Sequence, residues 1–189
     1  MRKILLFLFS FLLTIPSSAR DHKLFDAGWL FTLGDSAAMA KPDYNDSGWR
    51  RLNLPHDWAI EGDFLDSNPS GAGGGALPGG IGWYRKHFTV NDFDQVRKDN
   101  TKFWIAFDGV YMNSTVYVNG KEVGHRPYGY SSFEYDITNE LKAGDNVIAV
   151  KVDNSDQPNS RWYSGCGIYR HVWLTTTSPL HFDHWGVQV

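Results

Sequence analysis

The sequence predicts an all-β chain folded as a jelly-roll β-sandwich of the galactose-binding-domain type. Three observations carry that prediction. Short runs rich in Val, Ile, Tyr, Phe and Trp recur along the chain, separated by Gly, Asn, Asp and Pro. No segment shows a sustained helical period between them. Aromatic residues make up 15% of the 189 residues, and there is one cysteine, so internal packing rather than a disulfide has to hold the fold.

The elements follow in chain order. Residues 24–33 read as an early strand bent at Asp26-Ala27-Gly28, and residues 37–46 hold one helical turn before Ser47-Gly48-Trp49. Residues 83–90 form a strand with Arg85 and Lys86 inside it. Residues 102–107 place Phe103, Ile105 and Phe107 on one face and Trp104 and Ala106 on the other. Both faces are apolar, which places this strand centrally. Residues 114–118 lead into Asn119-Gly120, a pair suited to a tight hairpin, with the return strand at Glu122-Val123. Residues 133–137 alternate, residues 143–146 turn, and strands follow at 147–152 and 168–176. Strands at this spacing favour a sandwich or jelly roll over an open sheet, whose edges would be exposed.

The first nineteen residues differ in kind. Arg2 and Lys3 precede an apolar run at 4–15, and Ser17, Ser18 and Ala19 supply small residues. This is the three-part pattern of a signal peptide cleaved after Ala19, and it predicts a secreted or periplasmic protein. The run is short for a bilayer span; an N-terminal anchor is the competing reading. The expected division is a signal peptide at 1–19, one domain at 20–180, and the opening of a linker or next domain at 181–189. Without Arg2 and Lys3 the formal charge falls from −3 to −5, which argues against a nucleic-acid partner.

Most local motifs resolve into plain structural readings. Gly71 to Ala76 matches a loose dinucleotide pattern, but Pro78 and Gly79-Gly80 leave no room for the helix that such a loop needs. A flexible loop is expected instead, and no cofactor. His181 and His184 have ligand-like spacing without a third or fourth ligand, so no metal site is expected. Cys166 reads as a small buried residue. His56-Asp57 is either a ligand-touching pair or a self-capping turn. No pair of carboxylates is nominated as catalytic, because a sandwich can bring such groups together from any two strands. Sugars present hydroxyl edges and C–H faces, so a sugar site needs fixed polar groups beside aromatic rings. Two stretches offer both: residues 156–163, with Asp156, Asn159, Arg161, Trp162 and Tyr163, and residues 125–130, with Tyr128 and Tyr130.

An ordered series of motifs resembles one known family. The series is Gly79-Gly80-Ile81-Gly82-Trp83-Tyr84-Arg85-Lys86, Phe107-Asp108-Gly109-Val110, Val116-Tyr117-Val118-Asn119-Gly120, Tyr128-Gly129-Tyr130 and the run from Arg161 to Arg170. Together these look like the N-terminal sugar-binding domain of glycoside hydrolase family 2, and Leu54-Pro55-His56-Asp57-Trp58 is similar to its secreted bacterial β-galactosidase-like members. The resemblance covers residues 24–179. It implies a jelly roll followed in the whole enzyme by an immunoglobulin-like domain and a TIM barrel carrying two catalytic glutamates, and it leaves room for a homo-oligomer of that enzyme. It also implies that loops of this domain reach the barrel's site and touch the carbohydrate substrate. Where the family has an acidic residue shortly before Gly167-Ile168-Tyr169-Arg170, this chain has Arg161. Where it has an asparagine before Gly82-Trp83-Tyr84, this chain has Gly79. The candidate substrate contacts are thus Arg161, with Asp156, Asn159 and Trp162 beside it, and His56 and Asp57. The expected function is the N-terminal domain of a secreted retaining β-glycosidase, inactive by itself. A stand-alone carbohydrate-binding module and a purely structural bracing domain are the alternatives.

Overall fold

The structure, a computed structural model, describes residues 20–184, 186 and 187. The expected signal segment lies outside the described residues. Among the described residues ten strands form two antiparallel sheets: β1 Arg20–Leu24, β2 Trp29–Leu33, β3 Arg50–Leu52, β4 Gly80–Thr89, β5 Lys102–Phe107, β6 Ser114–Val118, β7 Lys121–Arg126, β8 Phe133–Asp136, β9 Asp145–Asn154 and β10 Val172–Thr177. The four-stranded sheet runs β1-β10-β5-β8 and the six-stranded sheet β3-β2-β4-β9-β6-β7. This is the two-sheet jelly roll the sequence predicts, with β5 inside its sheet.

The side-chain period of two builds the core. Phe103, Ile105, Phe107 and Val172 point inward from one sheet, and Trp29, Phe31, Tyr84, Val116, Val118, Ile148, Val150 and Val152 from the other. Each buried aliphatic or Phe side chain contributes about 1.5–3 kcal/mol. The outer face of β4 and β9 is covered too. Trp83 and Ala149 pack under Met39, Ala40 and Trp49, carried by an excursion that includes the 3-10 turn Ala37–Ala40. That second layer explains why β4 and β9 lack a clean polar face.

Arg85, in the middle of β4, is fully buried beneath this excursion. Its Nε donates to Asp46 Oδ2 at 2.6 Å, and its Nη1 to the carbonyls of Met39 at 2.6 Å and Lys41 at 2.9 Å. The rings of Tyr44 and Trp49 flank the guanidinium. The charge inside the strand is therefore a clamp that satisfies carbonyls the irregular segment cannot pair by itself. His87 Nε2 sits 2.9 Å from the same Asp46 carboxylate, with Asp145 3.0 Å from its other nitrogen.

Three details differ from the sequence reading. The early strand is two strands in different sheets, because Gly28, at φ 72°, turns the chain between β1 and β2. One short helix, α1 Phe93–Lys98, fills the connection between β4 and β5 without a periodic signature, being only six residues long. The last strand begins at Val172 rather than Ile168. Residues 166–168 are drawn instead into bonds with other loops: His56 N to Ile168 O at 2.8 Å, Trp58 N to Cys166 O at 3.1 Å and Tyr111 N to Gly167 O at 2.9 Å. Beyond β10 the chain crosses back over the four-stranded sheet. His181 meets the Trp104 ring, and His184 Nδ1 lies 2.7 Å from Glu134 Oε2. The two histidines thus face different partners.

Candidate functional site

Alternating strand direction gathers five loops at one end of the sandwich: residues 54–62, 70–79, 110–113, 127–131 and 155–167. The glycine-rich loop contains a 3-10 turn, Ala72–Gly74, and leads directly into strand β4. Its glycines allow close approach. A Cβ at Gly79 would stand 2.7 Å from the Asn154 carbonyl, and one at Gly73 would touch the Arg161 backbone at 3.7 Å. This loop therefore lies against the 155–167 loop.

Asp57 ties the assembly together. Its Oδ1 accepts from the backbone N–H groups of Cys166 at 2.8 Å and Ala59 at 2.9 Å. Its Oδ2 accepts a hydrogen bond from the Tyr163 hydroxyl. Burial, then the neighbouring Asp57 carboxylate, raises the Tyr163 pKa far above its ordinary value, so this hydroxyl stays a donor. His56 turns inward. His56 Nε2 faces both Arg50 Nη2 at 2.7 Å and Glu61 Oε1 at 3.3 Å; a guanidinium only donates, and the shorter of the two contacts makes that nitrogen an acceptor. The ring proton then lies on Nδ1 and donates to the Tyr84 hydroxyl at 2.7 Å. Burial, opposed by Glu61, lowers the His56 pKa and keeps the ring neutral. Both members of the His56-Asp57 pair are thus engaged inside the protein, as a self-capping turn would be.

Asn159 is also engaged. Its amide nitrogen donates to Asn154 Oδ1 at 2.7 Å and Asp156 O at 2.9 Å, and its oxygen accepts from the Tyr111 hydroxyl at 3.2 Å. Asn154 in turn donates to Cys166 Sγ at 2.9 Å and Gly165 O at 3.2 Å. Cys166 is buried, and burial pushes its thiol up to about 12, so it is no nucleophile at neutral pH.

Arg161, Asp156 and Trp162 face outward. The Arg161 guanidinium and the Asp156 carboxylate make no side-chain hydrogen bond with the described residues, which leaves both free for a ligand. Trp162 is 61% exposed, yet its Nε1 donates to the Tyr130 hydroxyl at 3.0 Å, and Tyr130 reaches Ser164 Oγ at 3.2 Å. Ser164 and Ser160 hydroxyls meet at 2.9 Å. Ser160 and Ser164 belong to stretches the sequence already marks, whereas Tyr111 does not. Tyr111 carries no signal there, because the partner of its hydroxyl, Asn159, lies 48 residues away in the chain. The cleft beneath Trp162, lined by Ser70, Gly74, Leu77, Gln157, Tyr163 and Cys166 among others, has room of about 20 Å³. That holds roughly one water.

Two antiparallel sheets with a loop surface of free charges, tethered amides and exposed rings at one end define the class. This is a jelly-roll β-sandwich domain whose chemistry sits on its loops rather than in its core. Comparison with known proteins names the family: residues 77–178 match the family described as glycosyl hydrolases family 2, sugar binding domain, and the chain belongs to it. It is 59% identical over 173 residues to the β-galactosidase BoGH2A of Bacteroides ovatus, covering 91% of this chain and 20% of that protein. It is 33% identical over 181 residues to a β-glucuronidase of Formosa agariphila, covering 88% of this chain and 18% of that protein. Among solved structures, a β-glycosidase from Bacteroides vulgatus superposes with a TM-score of 0.79 at 48% identity, over 84% of this chain and 20% of that one. The chain thus spans about a fifth of the length of these relatives.

Proposed function

We propose that this chain is the N-terminal, sugar-binding part of a β-galactosidase-like retaining glycosidase, and that it walls a substrate pocket whose catalytic carboxylates lie on a barrel elsewhere in the polypeptide. The observation that carries this reading is the mismatch between chemistry and volume at the loop end. A free guanidinium, a free carboxylate and an exposed indole are presented together, yet the cleft beside them has room of about 20 Å³. Small-molecule pockets run to roughly 300–1,000 Å³. The surface has the parts of one side of a sugar site and needs a facing surface to enclose a ring. A retaining mechanism would use two carboxyl groups about 5–5.5 Å apart on the barrel. Arg161 would donate to sugar hydroxyls or to an acidic substituent, through a planar fork that suits either.

The reading is tested in the whole enzyme and in the chain alone. Arg161→Ala in the full-length protein lowers kcat/KM for a terminal β-glycoside by about 5- to 150-fold, the equivalent of about 1–3 kcal/mol for lost hydrogen bonds. The isolated chain shows no heat of binding with millimolar galactose or glucuronate. Clear binding by the isolated chain would favour the stand-alone module instead. The signal-peptide reading makes the enzyme secreted or periplasmic; intact-mass measurement of the exported protein would find a mature terminus at Arg20.

A further inference from the structure

We propose that Tyr128, Tyr130 and Trp162 form a stacking ledge for the sugar units that follow the terminal residue, so that the whole enzyme prefers oligosaccharide chains to simple glycosides. The inference rests on the reading that this chain walls a glycosidase pocket. Three large rings stand exposed together: Tyr128 at 59%, Tyr130 at 43% and Trp162 at 61%. They are not loose. Tyr130 packs edge-on against both Tyr128 and Tyr111, at centroid distances of 5.7 and 5.3 Å, and its hydroxyl holds the Trp162 indole. The loop between them is pinned from below. The Tyr169 hydroxyl donates to Gly129 O at 2.8 Å, and a Cβ at Gly129 would stand 2.2 Å from the Tyr111 ring. Rings fixed before binding lose little freedom on binding.

The polarity of the ledge points to carbohydrate. Every exposed ring carries a polar tip, and the hydroxyls of Ser160 and Ser164 lie among them. A sugar chain offers the matching pattern of C–H faces and hydroxyl edges. The other exposed apolar group at this end, Ile60, Phe64 and Leu65, has no polar tips and suits packing against protein. The ledge also extends past the cleft: Trp162 lines the cleft, whereas Tyr130 and Tyr128, their ring centres 5.7 Å apart, lie outside it. A ligand confined to the cleft mouth would leave Tyr128 untouched.

Tyr128 is the residue to test, because its hydroxyl bonds none of the described residues and Tyr130 keeps its contacts with Tyr111, Trp162 and Ser164 when Tyr128 is lost. Full-length wild-type enzyme is first assayed on methyl β-galactoside and methyl β-glucuronide. Turnover of neither overturns the parent reading. With the sugar that is released, kcat/KM is measured for the methyl glycoside and for a linear oligosaccharide of three or more units ending in that sugar. In Tyr128→Ala the ratio of oligosaccharide to methyl glycoside falls about fivefold or more, and in Tyr128→Phe it stays near wild type, because the ring rather than the hydroxyl stacks. Trp162→Ala lowers the ratio further. An unchanged ratio in Tyr128→Ala overturns the ledge, whether both substrates decline together or neither does.

Discussion

Asp57 joins separate parts of the loop end through one carboxylate. Asp57→Ala removes the acceptor of two backbone N–H groups, those of Cys166 and Ala59, and of the Tyr163 hydroxyl. Tyr163 is 43% exposed, so its hydroxyl recovers water at small cost. The N–H groups of Cys166 and Ala59 belong to buried residues. An unsatisfied buried donor costs about 1–3 kcal/mol, so the two together predict a loss of about 2–6 kcal/mol. For a domain of this size that lowers the melting temperature by about 4–24 °C, at roughly 2–4 °C per kcal/mol. Asp57→Asn keeps one oxygen for both backbone donors and costs about 1 kcal/mol, and Tyr163→Phe costs less than about 1 kcal/mol. Urea denaturation of the three variants against the parent chain orders them. A loss below about 1 kcal/mol in Asp57→Ala, with the transition slope unchanged, would refute the reasoning. The tie would then be ornamental, and the loops would be held by something else.

Arg85→Met removes one partner of a buried ion pair and orphans carbonyls of the 39–42 excursion; a loss of about 3–5 kcal/mol is expected by the same denaturation assay. Stability against pH reads out two histidines of opposite sign. Burial opposes protonation of His87, but hydrogen bonds with Asp145 and Asp46 outweigh it and raise its pKa above 6.5, so its contribution is full below about 6.5 and is lost as pH rises through the folded value. His56, lowered by burial, contributes above 6.5 and its share is lost as pH falls through the folded value. His87→Gln should abolish the alkaline-side decline and leave the acid-side one, in melts taken from about pH 5 to 8. Cys166 should resist thiol reagents in the native chain at pH 8 and react at once in denaturant, which a single endpoint titration checks.

Much of the fold is readable in the sequence because strand formation is local. The alternation at residues 102–107, the Asn119-Gly120 turn and the apolar run at 147–152 each state their own conformation through a period of two or a backbone preference. The short strand β3 and helix α1 escape that reading. Three residues and six residues carry too little pattern; β3 is held by pairing with β2, and α1 by packing Phe93 and Val96 against the core. The site divides in the same way. Arg161 and Trp162 stand out by residue type and by resemblance, and the structure places both on the loop surface. His56, Asp57 and Asn159 have the right chemistry for a ligand, but the fold turns them to internal partners.

The sequence by itself determined the class: a β-sandwich, built from short strands, with its chemistry in the loops and a family stamped on the motif order. Only the tertiary structure decided which polar groups are spent on the protein and which remain free. The reason is physical. A side chain's residue type sets what bonds it can make, but Asp57 meets Tyr163 across 106 residues of chain, and Asn159 meets Tyr111 across 48. Such partners are selected by sheet packing and loop closure, and no local pattern records them.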